Sequence, residues 1–258
     1  MSKLHVVTGR DPAVLLESAA SGFLDMPRVP ADGPFPSPRY LLALRQGGLR
    51  EDLLQMAAGR GVVGWFDAPL CVFHELPAWL GATDRWPLGD FERAALLEHL
   101  LRENAADMLH GREGAFLGAA EQLFGELCAE DVAPETFAAA VESLAGREEF
   151  ERRRDAALAR TYAAYVAQLS RLGRRDGRDA LADTAKATSA APDRLIERLG
   201  GRREIRILGL ADLRGGWKAL LRALLAAPAI DRVTLYATDS PALPPDLAAT
   251  CEQIRGRD

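Results

Sequence analysis

The chain has 258 residues, of which 48% are hydrophobic, and a formal net charge of −5 at pH 7. This is enough for one large domain or two small ones with a proper apolar core. The acidic balance argues against a stand-alone nucleic-acid binder, which usually carries a basic surplus, so any contact with DNA must come from a local cluster.

Membrane and secretory signals are missing from the sequence. No apolar run approaches the roughly 20 residues of a membrane span, and the N-terminus lacks a charged stretch followed by an apolar one. The three cysteines, Cys71, Cys128 and Cys251, are odd in number and widely spaced, which is typical of reduced thiols. We therefore expect a cytoplasmic protein that does not bind membranes.

The first twenty residues predict a strand, a glycine turn and a helix. Residues 4–7 are a short apolar run of strand type, 8–12 a tight polar turn and 13–20 a helix. Asp11 is the expected N-cap of this helix and Pro12 its first residue. Strand, glycine turn and helix N-terminus together form the geometry that holds phosphates in nucleotide-binding α/β folds.

The turn lacks the chemistry of a working phosphate loop. Such a loop needs G-x-x-x-x-G-K-[ST], whereas this turn reads Thr8-Gly9-Arg10-Asp11-Pro12, without the lysine, the second glycine or the hydroxyl. Asp11 would repel a phosphate, and Pro12 has no N–H to donate. We interpret Thr8, Gly9 and Arg10 as a degenerate phosphate loop, with an ordinary first βα unit as the alternative.

The chain alternates between two kinds of pattern after a proline-rich link at 26–38. Further strands are predicted at 39–44, 70–73, 204–210 and 233–236, with helices beside them at 49–58, 74–80, 217–226 and 245–254. Apolar strands separated by helices imply a parallel sheet covered on both faces. We expect residues 1–85 and 200–258 to share this sheet, with strand 204–210 beside strand 4–8.

Residues 86–199 show helical patterns alone. Helices are predicted at 90–109, 113–129, 134–144, 148–172, 179–188 and 192–199. The fourth has the strongest periodicity, because Leu158, Tyr162, Tyr165, Leu169 and Leu172 are spaced by four, three, four and three residues. The predicted fold class is therefore α/β, one discontinuous parallel sheet domain with an all-α insertion of residues 86–199, and we interpret the chain as the N-terminal part of a longer one.

The sequence contains no convincing catalytic or metal-binding constellation. His74-Glu75 begins like a zinc-protease helix, but position 78, where the second histidine would stand, is alanine. Asp193 followed by Glu204-x-Arg206 resembles a metal-nuclease pattern, yet arginine replaces its lysine and stays protonated. We predict no catalytic residues, no metal and no cofactor.

Arginines cluster in two stretches. Residues 147–178 hold nine arginines against five acids, and a second group consists of Arg198, Arg202, Arg203 and Arg206. Arginines on one groove could track a phosphate backbone, and the alternative is the solvated face of a long helix. The candidates for DNA contact are Arg171, Arg174, Arg175 and Arg178.

The order of these segments resembles the N-terminal, helicase-like region of the B subunit of bacterial AddAB/RexAB-type ATP-dependent helicase–nucleases. The resemblance is carried by LHVVTGR at 4–10, LCVFHEL at 70–76, FERAALL at 91–97, YAAYVAQL at 162–169 with Gly173 and Asp176, and ILGLADL at 207–213. It spans nearly the whole chain.

The resemblance implies a superfamily-1 helicase-like fold, that is, a RecA/P-loop-like parallel sheet domain with an all-α insertion. It also implies a role in processing DNA double-strand ends, single-stranded or duplex, together with a motor–nuclease partner subunit. It also implies that a metal-dependent nuclease site and iron–sulfur cysteines lie beyond residue 258. The phosphate-loop lysine and an acidic residue at the end of strand 204–210 are missing, so it implies an inactivated motor domain that serves as scaffold and DNA groove. Two alternatives stay open: a protein-interaction scaffold without DNA contact, which the −5 charge favours, and a nucleotide hydrolase with a divergent phosphate loop.

Overall fold

The computed structural model describes residues 3–25, 38–62, 65, 68–81, 85–109, 113–144, 147–210, 212–239 and 241–255. The strands are β1 (Lys3–Thr8), β2 (Tyr40–Leu44), β3 (Leu70–Val72), β4 (Trp86–Pro87), β5 (Arg174–Arg175), β6 (Glu204–Leu208), β7 (Arg232–Ala237) and β8 (Cys251–Arg255). The α-helices are α1 (Pro12–Ala19), α2 (Ser21–Leu24), α3 (Gly47–Gly59), α4 (Leu76–Leu80), α5 (Asp90–Leu109), α6 (Glu113–Ala129), α7 (Pro134–Glu142), α8 (Glu149–Arg171), α9 (Ala180–Ala190), α10 (Asp193–Arg198), α11 (Gly215–Ala226) and α12 (Pro245–Ala248). None of the helices in these ranges is long and apolar enough to cross a membrane. The predicted link at 26–38 lies outside the described residues except for Pro38.

Six strands form one sheet in the order β3-β2-β6-β7-β1-β8, and all neighbouring strands are parallel. The chain is therefore an α/β protein, as predicted, and strands from both ends of the sequence share its sheet. The predicted adjacency of β6 and β1 is wrong, because β7 lies between them and pairs with both. β7 is buried from Val233 to Ala237, as a central strand of a covered parallel sheet must be.

The segment at 245–254 also differs from its prediction as a helix. Only the single turn α12 is helical, and β8 then pairs with β1 from Leu4↔Cys251 to Thr8↔Arg255. The sequence Cys-Glu-Gln-Ile-Arg has no marked strand pattern of its own. Its conformation is therefore set by pairing with β1, because strand preference depends strongly on tertiary context.

The chain divides into two compact units, and the first consists of residues 1–82 and 184–258. Both faces of its sheet are buried, since β2 has Leu41 and Leu42, which point to opposite faces, fully inaccessible to solvent. On one face, Phe23 packs edge-on against Tyr40 and Trp65, with ring centroids 5.7 and 5.3 Å apart. Residues 184–199, assigned from the sequence to the insertion, belong to this sheet unit.

The second unit, residues 83–183, is built mainly from α5, α6, α7 and α8. Tyr162, Tyr165 and Leu169 of α8 are buried in its core with Phe124, which confirms the predicted periodicity, whereas Leu172 is exposed. The chain leaves α8 as predicted at Gly173, whose φ of +63° favours glycine. The stretch is not wholly helical, because β4 and β5 form a short parallel pair.

Candidate functional site

The predicted phosphate loop lies at the carboxyl edge of the sheet, between β1 and α1. Thr8 ends β1, and the Gly9 amide donates to the Ala237 carbonyl of β7 at 3.3 Å, while Arg10 is exposed. A Cβ added at Gly9 would lie 3.3 Å from Cδ2 of Leu15, a buried residue of α1. The space beside Gly9 is thus already occupied by an apolar side chain.

The N-terminus of α1 carries its own anion. As predicted, Asp11 is the N-cap and Pro12 the first helical residue. Oδ1 of Asp11 accepts a hydrogen bond from the Ala13 amide at 2.8 Å, and the Asp11 carbonyl accepts from the Leu15 amide at 3.1 Å. A bound phosphate would draw on the Ala13 amide of this first turn and on the positive end of the helix. The Asp11 carboxylate takes that place, and Pro12 removes a further donor.

A cleft of about 270 Å³ opens at the same edge, next to the ends of β6 and β7. Its longer polar side chains are Arg45 and Gln46, and apolar residues and Gly209 supply most of the rest. Gly209 has a φ of +89°, and a Cβ there would lie 2.9 Å from Cβ of Arg45, so glycine permits this close approach. No carboxylate is among the lining residues, so the cleft offers no acidic ligand for the magnesium that accompanies nucleotide triphosphates.

Metal chemistry finds no support elsewhere in the ranges that the structure describes. No group of three or more His, Cys, Asp or Glu side chains there is arranged to hold a metal ion.

Two of the four arginines predicted to bind DNA are engaged by carboxylates of their own unit. Arg174 lies 3.0 Å from the Glu92 carboxylate, which also accepts from the Gly89 amide. Arg175 is only 12% exposed, and its Nη1 lies 3.5 Å from Oδ1 of Asp179. Both guanidinium groups therefore serve the local structure.

The other two candidates differ in their surroundings. Arg178 donates to the Glu121 carbonyl at 3.4 Å, and its guanidinium lies against Gly125, where an added Cβ would be 1.9 Å from Nη1. Arg171, in the last turn of α8, is exposed and forms no ion pair within the described part of the chain. Of the four, Arg171 is the one whose charge faces solvent without an internal partner.

Asp176 stabilises the turn that follows α8. It is 1% exposed and accepts hydrogen bonds from the Tyr165 hydroxyl at 2.7 Å and the Arg178 amide at 2.9 Å. Nη1 of Arg93 lies 3.8 Å away. Burial and the adjacent Asp176 carboxylate raise the pKa of Tyr165, so its hydroxyl remains a donor. The Tyr…Gly…Asp pattern quoted for the resemblance is thus a structural tie between α8 and the following turn.

A second carboxylate of this segment is poised to titrate near neutrality. Burial, together with the charge of Asp183, raises the pKa of Asp179 to about 7, although Arg175 acts in the opposite direction. Asp183 itself is held by Arg85 through two contacts of 2.7 Å. The group is a network of carboxylates and guanidinium ions, in which Oδ1 of Asp179 and Nη1 of Arg175 are buried and make an ion pair at 3.5 Å but no hydrogen bond.

Arg206, which stands in the nuclease-like pattern, is also a structural residue. Its Nε donates to Glu204 at 2.7 Å and its Cζ lies 3.7 Å from the centre of the Tyr40 ring. Nη1 donates to the carbonyl of Ala19, the last residue of α1, and to the Ser21 hydroxyl, both at 3.1 Å. A guanidinium held this way joins α1 to the sheet and has no role as a proton carrier.

The two units differ sharply in charge. Residues 83–183 hold 13 arginines and no lysine against 20 Asp and Glu, a formal charge of −7, whereas the remaining residues hold 19 basic and 17 acidic side chains, a charge of +2. Sequence reasoning considered the arginines of 147–178 without the acids that surround them in the fold. On the basis of net charge, the sheet unit is more favourable for binding a polyanion than residues 83–183.

Three large aromatic side chains among the described residues of the second unit are exposed: Trp86, Phe91 and Phe150, the last of which is 60% exposed. The sequence analysis missed all three. Trp86 of β4 is 74% exposed and Phe91 at the start of α5 is 86% exposed. Trp86 is paired in register with Arg174. Exposed aromatic side chains are enriched at interaction surfaces.

No protein-family model matches the chain, and a search of curated proteins finds no match either.

Proposed function

We propose that this chain is a non-catalytic, helicase-like domain of a DNA double-strand-break processing helicase–nuclease subunit, which serves as scaffold and DNA-binding surface. The RecA-like interpretation, with residues 83–183 as a helical insertion, is supported by the parallel sheet, whose strands come from both sides of that stretch. It is also supported by β1, an interior strand that leads through a glycine turn into a helix.

The observation that carries the proposal is the Asp11 carboxylate at the N-terminus of α1. This carboxylate accepts a hydrogen bond from the Ala13 amide, which a phosphate would otherwise use. Pro12, beside it, has no N–H to donate, and the Leu15 side chain fills the space next to Gly9. A domain that keeps the frame of a nucleotide site and fills it with its own side chains is suited to positioning rather than to ATP hydrolysis.

Calorimetry with Mg-ATP tests the loss of nucleotide binding. We expect no saturable heat at millimolar nucleotide and no ATPase activity, because the lysine and hydroxyl of a phosphate loop are missing. The Asp11→Asn variant keeps the cap and removes the charge, and it should stay inactive because Pro12 and Leu15 are unchanged. Saturable binding by the parent that disappears in Gly9→Ala or Arg10→Ala would contradict the proposal.

Measurements of binding to single-stranded and forked DNA test the proposed DNA-binding role. We expect a Kd on the order of the non-specific range of 10⁻⁴ to 10⁻⁶ M that weakens steeply as salt rises, because phosphate contacts release counterions. The Arg171→Gln/Arg174→Gln variant examines the predicted candidates while it leaves the buried Arg175 in place. Equal affinity of this variant and the parent would show that neither arginine contacts DNA.

A protein-interaction scaffold without DNA contact is the second candidate. It is favoured by the −7 charge of residues 83–183 together with the exposed Trp86 and Phe91. DNA binding by the full chain at low salt separates the two, since a scaffold of this kind would show none.

A further inference from the structure

The amino edge of the sheet, opposite the edge discussed so far, carries a cluster of cations. The register aligns Tyr40 with Glu204, Glu204 with Arg232 and Arg232 with Lys3. Because the strands are parallel, residues at or just before these four positions are neighbours in space. They include five cations: Lys3, Arg39, Arg202, Arg203 and Arg232.

These residues line two adjoining clefts. The first has a volume of about 600 Å³ and is lined by Arg39, Arg202, Arg203 and Arg232, among others. The second, of about 790 Å³, adds Lys3 and shares Arg203 and Arg232 with the first. All of the lining residues belong to the sheet unit.

The two carboxylates at the clefts are already neutralised. Glu204 accepts from Nε of Arg206 at 2.7 Å, and Asp231 lies 3.0 Å from Nε of Arg203. Lys3, Arg39 and Arg232 are exposed and form no ion pairs with any residue that the structure describes. The clefts therefore keep a surplus of positive charge at three positions that solvent can reach.

Arg202 is held in a fixed position beside these cations. Its Nε donates to the Pro38 carbonyl and its Nη1 to the Leu199 carbonyl, both at 3.0 Å. The turn before it depends on Gly200, whose φ is +59° and where an added Cβ would lie 2.8 Å from Nη1 of Arg202. Glycine here lets the guanidinium fold back along the chain.

We propose that this amino-edge cleft binds successive backbone phosphates of a DNA strand, through Lys3, Arg39 and Arg232 with Arg202 and Arg203 beside them. The ligand is read as backbone because no aromatic side chain lines either cleft to stack a base. Four adjacent strands span about 14 Å at roughly 4.8 Å each, so the cations lie far enough apart to contact more than one phosphate of a strand. The identity of the ligand as DNA rests on the proposed function, whereas the affinity for phosphate does not.

The test uses the full chain and its Lys3→Gln/Arg39→Gln/Arg232→Gln variant. These three side chains have no carboxylate partners, so the change leaves no buried charge unpaired. The control, Arg60→Gln/Arg214→Gln/Lys218→Gln, loses the same formal charge in the same unit at residues that do not line the clefts, although Arg60 is paired with Glu17 and Arg214 with Asp212. Circular dichroism of both variants checks that they fold.

The affinity for a labelled single-stranded oligonucleotide is measured by fluorescence anisotropy at salt concentrations from roughly 25 to 200 mM, the range in which binding depends steeply on salt. We expect the variant to bind at least about tenfold more weakly at low salt, and the slope of log K against log salt to flatten by about 2, since three contacts at about 0.7 each are lost. The control should bind like the parent. Equal affinities of variant and parent overturn the proposal.

Calorimetry with inorganic tripolyphosphate separates this proposal from the proposed function. Tripolyphosphate binding that is lost in the variant, without DNA binding by the parent, supports the phosphate cleft and refutes the role in DNA binding. DNA binding that persists in the variant and falls in Arg171→Gln/Arg174→Gln supports the role in DNA binding and refutes the cleft. If the parent binds neither ligand, both are wrong.

Discussion

Replacing Arg206 by methionine tests whether the Glu204–Arg206 pair is structural. Methionine keeps an unbranched apolar side chain at this position and removes the guanidinium that stacks on Tyr40. The Arg206 side chain is only 16% exposed, so Glu204 and the carbonyls of Ser18 and Ala19 lose a donor that water replaces poorly. The stacked guanidinium contributes about 1 kcal/mol and the half-buried ion pair and hydrogen bonds about 2 more. We expect the free energy of unfolding to fall by about 3 kcal/mol.

Urea denaturation followed by circular dichroism measures this loss, and Glu204→Gln supplies the comparison. That variant should lose about 1 kcal/mol, because Arg206 keeps its contacts with Tyr40 and the end of α1. The double variant should lose less than the sum of the two, by about 1 kcal/mol, as expected for residues in direct contact. A loss below about 1 kcal/mol in Arg206→Met would mean that the guanidinium is solvated and that the structural account of it is wrong.

Three further predictions follow from single residues. Asp11→Ala should lower the free energy of unfolding by about 1 kcal/mol through loss of the α1 cap, while Arg10→Ala stays within about 0.5 kcal/mol of the parent; thermal melts distinguish them. Because the pKa of Asp179 is raised to about 7, its contribution to stability is intact below pH 4 and lost as the pH rises to 7. Asp179→Asn should therefore stabilise the protein at pH 8, by at most about 4 kcal/mol, and much less at pH 4; urea titrations at both pH values would refute this if the difference were reversed. Burial raises the pKa of the Cys71 and Cys128 thiols to about 12, so neither should react with a disulfide reagent at pH 8 until urea unfolds the chain, and fast labelling of either in the native protein would contradict their burial.

Local signals in the sequence were sufficient for most elements of the fold. The spacing of Tyr162, Tyr165 and Leu169 predicts the buried face of α8, because a helix repeats every 3.6 residues whatever surrounds it. The Asp11 cap and the Gly173 turn are likewise decided within a few residues. These features depend on backbone geometry that neighbouring residues impose.

Strand order and side-chain partners could not be predicted, because both depend on distant residues. Nothing in β6 indicates that β7 separates it from β1, and β8 becomes a strand by pairing with β1. Arg174 lies among arginines in the sequence, yet its partner Glu92 is 82 residues away. A count of arginines therefore overstated the positive charge that this segment presents.

The amino-edge cluster was within reach of the sequence. Lys3, Arg39, Arg203 and Arg232 each stand at or just before the start of a predicted strand. Parallel strands bring such positions together whatever their order, so the fold class alone implies a basic edge. These cations are neighbours at one edge of the sheet but far apart in the sequence, so a search for runs of arginine does not find them.

The position of β1 has a consequence for the synthesis of the protein. Leu4, Val6 and Val7 are buried, but β1 pairs with β7 and β8, and Lys3 meets Arg232. A ribosome that adds roughly 5–20 residues per second needs roughly ten seconds to a minute to synthesise the residues between Lys3 and Arg232. Residues 83–183 can complete their own contacts within that time. During this time the apolar strand β1 has no strand to pair with. The nascent chain therefore depends on protection against aggregation until β7 and β8 emerge from the ribosome.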